Sequence, residues 1–179
     1  MSLSNYTKRA VLGGLISLSI IGLGTYMLGS LSGYEAKELI KSSLTGLNTS
    51  WSSWVITSEN ENIYFSGDSG YAPHFKEIGE KYGPFNLALM ECGQYNLMWP
   101  DIHMMPEETA QAGIDVRANK IMPIHWAGFK LALHDWKDPI VRVKAKADEL
   151  NIEVITPQIG QEIIIKDSVT TYLNWWKDL

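Results

Sequence analysis

Asp68 and His125 are the two side chains of this 179-residue chain best placed to do chemistry together. Asp68 lies in Gly67-Asp68-Ser69-Gly70, directly past the strand-like run NIYFS, and His125 closes the strand-like run IMPI ahead of WAGF. A carboxylate and an imidazole projecting from the ends of rigid strands can share a metal ion. Each also has an ordinary explanation. Asp and Gly favour tight turns anyway, and a single histidine after a strand commonly packs or caps. Both explanations stay open for each residue. His103, in WPDIHMMPEE, sits among aromatic and Met side chains, where it could donate a proton or line a pocket. His134, in LALHDW, could support His125 or lie on the surface, and His74 opens an amphipathic helix with its ring expected in solvent. Cys92 ends an apolar run with no basic neighbour to activate it. As the single cysteine, it excludes an intrachain disulfide and any multi-cysteine zinc site.

The elements that must hold these residues follow from the apolar runs. Residues 35–44 (EAKELIKSSL) have helix composition and read as a short juxtamembrane helix. SWVIT and NIYFSG, joined by a charged turn, read as a hairpin. PHFKEIGEKY is a helix stopped by Gly83-Pro84, and FNLALMEC is a strand covered on both faces. Pro106-Glu107-Glu108 opens a helix with proline in the first turn and acids at the positive dipole end. KIMPIH is a strand, 139–151 a helix, IEVIT and EIIIK two strands around PQIG, and SVTTYLNWWKDL a terminal helix. From residue 50 the order is ββαβαβαββα, an α/β (α+β) pattern that implies a layered sheet with helices packed on it.

Charge divides the chain in two. The first 34 residues carry Lys8 and Arg9 and no acid, so the remainder holds 13 of the 15 basic groups and all 20 acidic ones. With a sequence pI of about 5.3, a general nucleic-acid binder is excluded. No charge occurs from Ala10 to Tyr34. As a helix those residues would reach about 37 Å, enough to cross a hydrocarbon core of ~30 Å. The stretch reads as a membrane-spanning signal anchor, with a secretory signal cut after small residues such as Ser30 or Ser32 as the alternative. Lys8 and Arg9 on the cytoplasmic side would put the rest of the chain on the extracytoplasmic side. The expected organisation is therefore an anchor over 1–34, a juxtamembrane linker over 35–47 and a folded unit over 48–179.

The blocks WSSWVI, IYFSGDSGYAPHFKEIGEKYGPFNLALMECGQYN, WPDIHMMPEE and IMPIHWAGFKLALH, in that order, closely resemble a known family. It is the metallo-β-lactamase-fold hydrolases of the N-acyl-phosphatidylethanolamine phospholipase D type, which include RomA-like bacterial membrane-associated proteins. The resemblance spans about residues 48–150. It implies a four-layer αββα sandwich, two zinc ions and hydrolysis of phosphodiester bonds in membrane lipids. It implies further that Asp68 bridges the two metals, that His125 completes the second metal site, and that His103 stands near the substrate, which makes Asp68 and His103 the candidate catalytic residues.

The same family binds its first metals through a His-x-His-x-Asp-His run upstream of the hairpin. This sequence has none: its histidines are His74, His103, His125 and His134, and no two have His-x-His spacing. The chain therefore reads as a membrane segment joined to the C-terminal half of the fold. Two ligands cannot build a site that takes at least about three from the protein, so the expectation is no hydrolase activity from this chain alone. The alternative is a non-catalytic, membrane-anchored remnant or interaction domain. Half of a sandwich should also leave one sheet face bare, to be covered by a second copy in a homodimer or by a complementing N-terminal half.

Overall fold

The computed structural model describes residues 35–41, 51–128, 130–166 and 172–179. Its strands are β1 (Glu35–Lys41), β2 (Trp51–Thr57), β3 (Asn62–Phe65), β4 (Leu87–Glu91), β5 (Lys120–Ile124) and β6 (Glu153–Val154). Helices α1 (His74–Tyr82), α2 (Pro106–Asp115) and α3 (Asp138–Leu150) alternate with the last four strands, and a 3-10 turn covers Trp175–Asp178. One sheet takes all six strands in chain order. The pairs β1–β2 and β2–β3 are antiparallel, and β3 to β6 run parallel.

Sequential parallel strands joined by right-handed crossovers put every helix on the same face. That face carries Val55, Tyr64, Ala88, Met90 and Ile121, packed under Phe75 and Ile78 of α1, Ala110 and Ala112 of α2, and Ile140, Val143 and Ala147 of α3. Strand alternation sends Ile63, Leu87, Leu89 and Met122 to the opposite face. The α2 start is built as its sequence implies: Pro106 occupies the first turn and the Glu108 carboxylate accepts the Met105 N–H at 2.8 Å. Arg142 of α3 donates twice to Glu107 of α2, at 2.8 and 2.6 Å, and fixes the two helices side by side.

Four expectations fail in whole or in part. The helix expected at 35–44 is the strand β1 over residues 35–41, whose seven residues all pair with β2; sheet pairing overrides a helix-forming composition. IEVIT forms only the two-residue β6. EIIIK is not a strand. It lies irregularly, with Ile163 and Ile165 packed on the sheet. Of the expected terminal helix, residues 172–179 are described and form only a 3-10 turn over Trp175–Asp178, while 167–171 lie outside the described residues.

The second sheet face is likewise not bare. Ile155, Ile163, Ile165 and Tyr172, all C-terminal to β6, pack on Ile63, Leu87, Leu89 and Met122. The expected transmembrane helix falls on residues outside those described. Among the described residues no helix is long and apolar enough to cross a membrane.

Candidate metal-hydrolase half-site

In a sheet with parallel strands, the loops leaving the carboxyl ends are the usual place for a site. Three such loops meet here. Asp68 follows β3, Glu91 is the last residue of β4, and His125 is the first residue past β5. Two glycines allow the loops to approach this closely. A Cβ on Gly70 would lie 2.4 Å from the Asp101 backbone, and one on Gly93 would lie 2.1 Å from the His125 carbonyl oxygen. His125 itself has φ 66, a left-handed conformation that a non-glycine residue adopts only when its surroundings impose it.

The result brings the three sequence candidates together. His125 Nδ1 stands 4.0 Å from Asp68 Oδ1, and the His103 ring stacks on the His125 ring at a centroid distance of 5.2 Å. His103 Nδ1 is buried and lies 3.3 Å from Glu91 Oε1. That is ion-pair distance, but the line of approach misses hydrogen-bond geometry. Glu91, wholly buried, accepts the Gly93 N–H at 3.1 Å and the Met104 N–H at 3.0 Å.

Burial pushes the Glu91 carboxyl up to about 7, against the opposing pull of His103 and the Met104 N–H. Burial works to lower His103, yet the Glu91 carboxylate beside it, with Asp68 behind, outweighs burial and holds it above the usual histidine range. Burial also lowers His125, and there the Asp68 charge does not recover the loss. Two neighbouring imidazoles are thus driven apart in basicity, one paired with a deep carboxylate and one beside an exposed carboxylate.

The remaining candidates stand elsewhere. His134 accepts the Gln94 N–H at 3.0 Å and stacks on Tyr95 at 4.3 Å, holding the loop after β4. His74 is half-buried against Phe75, with Ser69 Oγ 3.5 Å from its Nε2. Cys92 is buried in the helix-side core, and desolvation pushes its thiol up, as an inert packing group requires. Sequence reasoning missed Glu91. Its signal was present, a charge at the end of the otherwise apolar run FNLALMEC. It missed Gln94 as well, whose side-chain carbonyl accepts the N–H groups of Leu131 and Ala132, both at 2.9 Å, and pins the loop after His125.

Asp68 and His125 suit a zinc ion in kind, a carboxylate oxygen and an imidazole nitrogen, but not in number. Among the described residues no group of three His, Cys, Asp or Glu side chains is placed to hold an ion. His103 does not supply the third ligand through Nδ1, which faces Glu91. Among the described residues, Asp68 and His125 therefore offer two donors of a kind that suits a metal ion, with no third placed beside them.

The family model described as "Beta-lactamase superfamily domain" matches residues 32–126, over half of the chain, ending just past His125. The chain belongs to this family. Among its relatives, outer membrane protein RomA of Klebsiella pneumoniae is 54% identical over 77 residues, covering 43% of this chain and 58% of that protein. N-acyl-phosphatidylethanolamine-hydrolyzing phospholipase D 1 of Caenorhabditis elegans is 33% identical over 119 residues, 62% of this chain and 33% of that one.

The fold is shared with a metallo hydrolase of the hyperthermophilic archaeon Ignicoccus hospitalis, at a TM-score of 0.56 and 19% identity over 73% of this chain and 52% of the other. The beta-lactamase-superfamily match begins at residue 32 and so takes in β1, which lies ahead of the residues, about 48–150, that carry the sequence resemblance. The chain spans 35%, 58% and 33% of the length of three curated relatives it matches.

Proposed function

We propose that this chain carries the Asp68–His125 half of a zinc-dependent hydrolase site acting on phosphodiester bonds of N-acyl-phosphatidylethanolamine-like membrane lipids. It is inactive until the His-x-His-x-Asp-His half is supplied. The observation that carries the reading is the meeting of Asp68 and His125 at 4.0 Å across the carboxyl ends of two parallel strands. Family membership supports the hydrolase class, and the relative named for N-acyl-phosphatidylethanolamine hydrolysis supports the lipid. The charge-free stretch from Ala10 to Tyr34, and the outer membrane in the name of the Klebsiella relative, support a membrane-anchored protein with its folded part on the extracytoplasmic side. A separately encoded N-terminal half is the partner that would complete the site; a second copy of this chain, which has no His-x-His run, would pair with it without supplying the missing ligands.

The test is hydrolysis of vesicles containing N-acyl-phosphatidylethanolamine, with zinc present. The full chain alone should be silent, and adding a polypeptide bearing the His-x-His-x-Asp-His half of a family member should produce activity that Asp68→Ala removes. Activity of the chain alone that survives Asp68→Ala would overturn the site. A second reading, a non-catalytic interaction domain, is favoured by the lack of a three-ligand group among the described residues. It predicts no hydrolysis under either condition.

A further inference from the structure

We propose that Glu91 is the positioning residue of this site, holding His103 by its Nδ1 side so that Nε2 is the nitrogen left for substrate. The inference rests on the reading that the Asp68–His125 end of the sheet is the reactive end. Glu91 Oε1 lies 3.3 Å from His103 Nδ1, and the same oxygen accepts the Gly93 N–H at 3.1 Å. The second oxygen accepts the N–H of Met104, the residue next to His103, at 3.0 Å. One side chain thus grips both the ring and the backbone beside it. Its own backbone is held as firmly: the Glu91 N–H donates to Ser66 Oγ at 2.9 Å, and the Glu91 carbonyl accepts from Thr109 Oγ1 at 2.8 Å.

A carboxylate accepts and does not donate. Facing Nδ1 at 3.3 Å, its negative charge favours the tautomer whose proton sits on that nitrogen. Nε2 then carries a free lone pair. A structural carboxylate with no such role would need only the two backbone N–H groups. The ring stacked on His125 at 5.2 Å would then be indifferent to its charge.

The test reads the tautomer of His103 by nitrogen-15 NMR on the full chain in detergent micelles, above the histidine titration range and with zinc chelated. The proton should sit on Nδ1 in the wild type. Thr109→Val removes the bond to the Glu91 carbonyl without touching the carboxylate, and it should leave the tautomer unchanged. Glu91→Leu should move the majority population to the Nε2–H form. If that variant fails to fold, Glu91→Gln, of the same shape, should still shift the population part of the way, because its amide cannot accept at every point where the carboxylate does. A wild-type proton on Nε2, or a His103 signal in Glu91→Gln identical to wild type, would overturn the proposal. The readout needs neither metal nor hydrolysis, so a failed complementation assay would leave this result standing, and the reverse holds too.

Discussion

The two ends of the parallel strands are built on different rules. At the amino end, neutral amides tie the loops: Asn62 Nδ2 donates to the Tyr82 and Pro84 carbonyls at 2.7 and 3.0 Å, and the Asn62 N–H donates to Asn86 Oδ1 at 2.8 Å. At the carboxyl end stand a buried carboxylate, two stacked histidines, one of them in a left-handed conformation, and an exposed aspartate. Left-handed residues occur at both ends, Arg117 and Asn151 at the first and Gln94, His125 and Ala127 at the second, so backbone conformation does not separate them. What marks the second end is a buried carboxylate set against two stacked imidazoles, titratable groups of the kind that gather at functional sites.

The largest way to break this contrast is steric. Gly93→Ala would force a Cβ to within 2.1 Å of the His125 carbonyl oxygen, backbone that cannot swing aside. We expect a loss of about 3 kcal/mol or more, read as a lower urea midpoint. Next is the amino end: Asn62→Ala removes two donated bonds to carbonyls. It should cost about 2 kcal/mol in the same measurement, while leaving the His103 and His125 ring signals in place.

A smaller effect separates the ends by pH. The Glu91 carboxyl is raised from 4.5 to about 7, so between those values the unfolded chain has lost a proton that the folded chain retains. Stability contributed by Glu91 is therefore full below about pH 4.5 and falls as pH rises through about 7. His125 is lowered from 6.5 and slopes the other way up to that pH, and His103 is raised and adds to the loss above it. Glu91→Gln removes the carboxyl and with it the main cause of the raised His103: the variant's urea midpoint should lack the fall, and equal slopes would contradict the assigned burial. The smallest effect belongs to the residue with the largest functional claim. Asp68→Asn, at a side chain 59% exposed, should change stability by no more than about 0.5 kcal/mol.

Much of this was legible from residue order. The runs NIYFS, FNLALMEC and KIMPIH formed β3, β4 and β5, and so Asp68 and His125 fell at strand ends as expected. The parts that were not legible depend on contacts distant in sequence. EAKELIK pairs as a strand because β2 offers it a partner, and the isoleucines of EIIIK cover a sheet face without joining the sheet. Glu91 looked like the polar end of an apolar strand. Its meaning appears only once the loop carrying His103 and Met104 folds back over it.

The central claim is that one chain supplies Asp68 and His125 but not a closed metal site. Zinc content of the purified full chain after exhaustive dialysis tests it most directly, with Asp68→Ala measured beside it. The chain alone should retain zinc at well below one equivalent, indistinguishable from Asp68→Ala. Retention of one or more tightly held equivalents, lost in Asp68→Ala, would contradict it and show that this chain closes the site unaided.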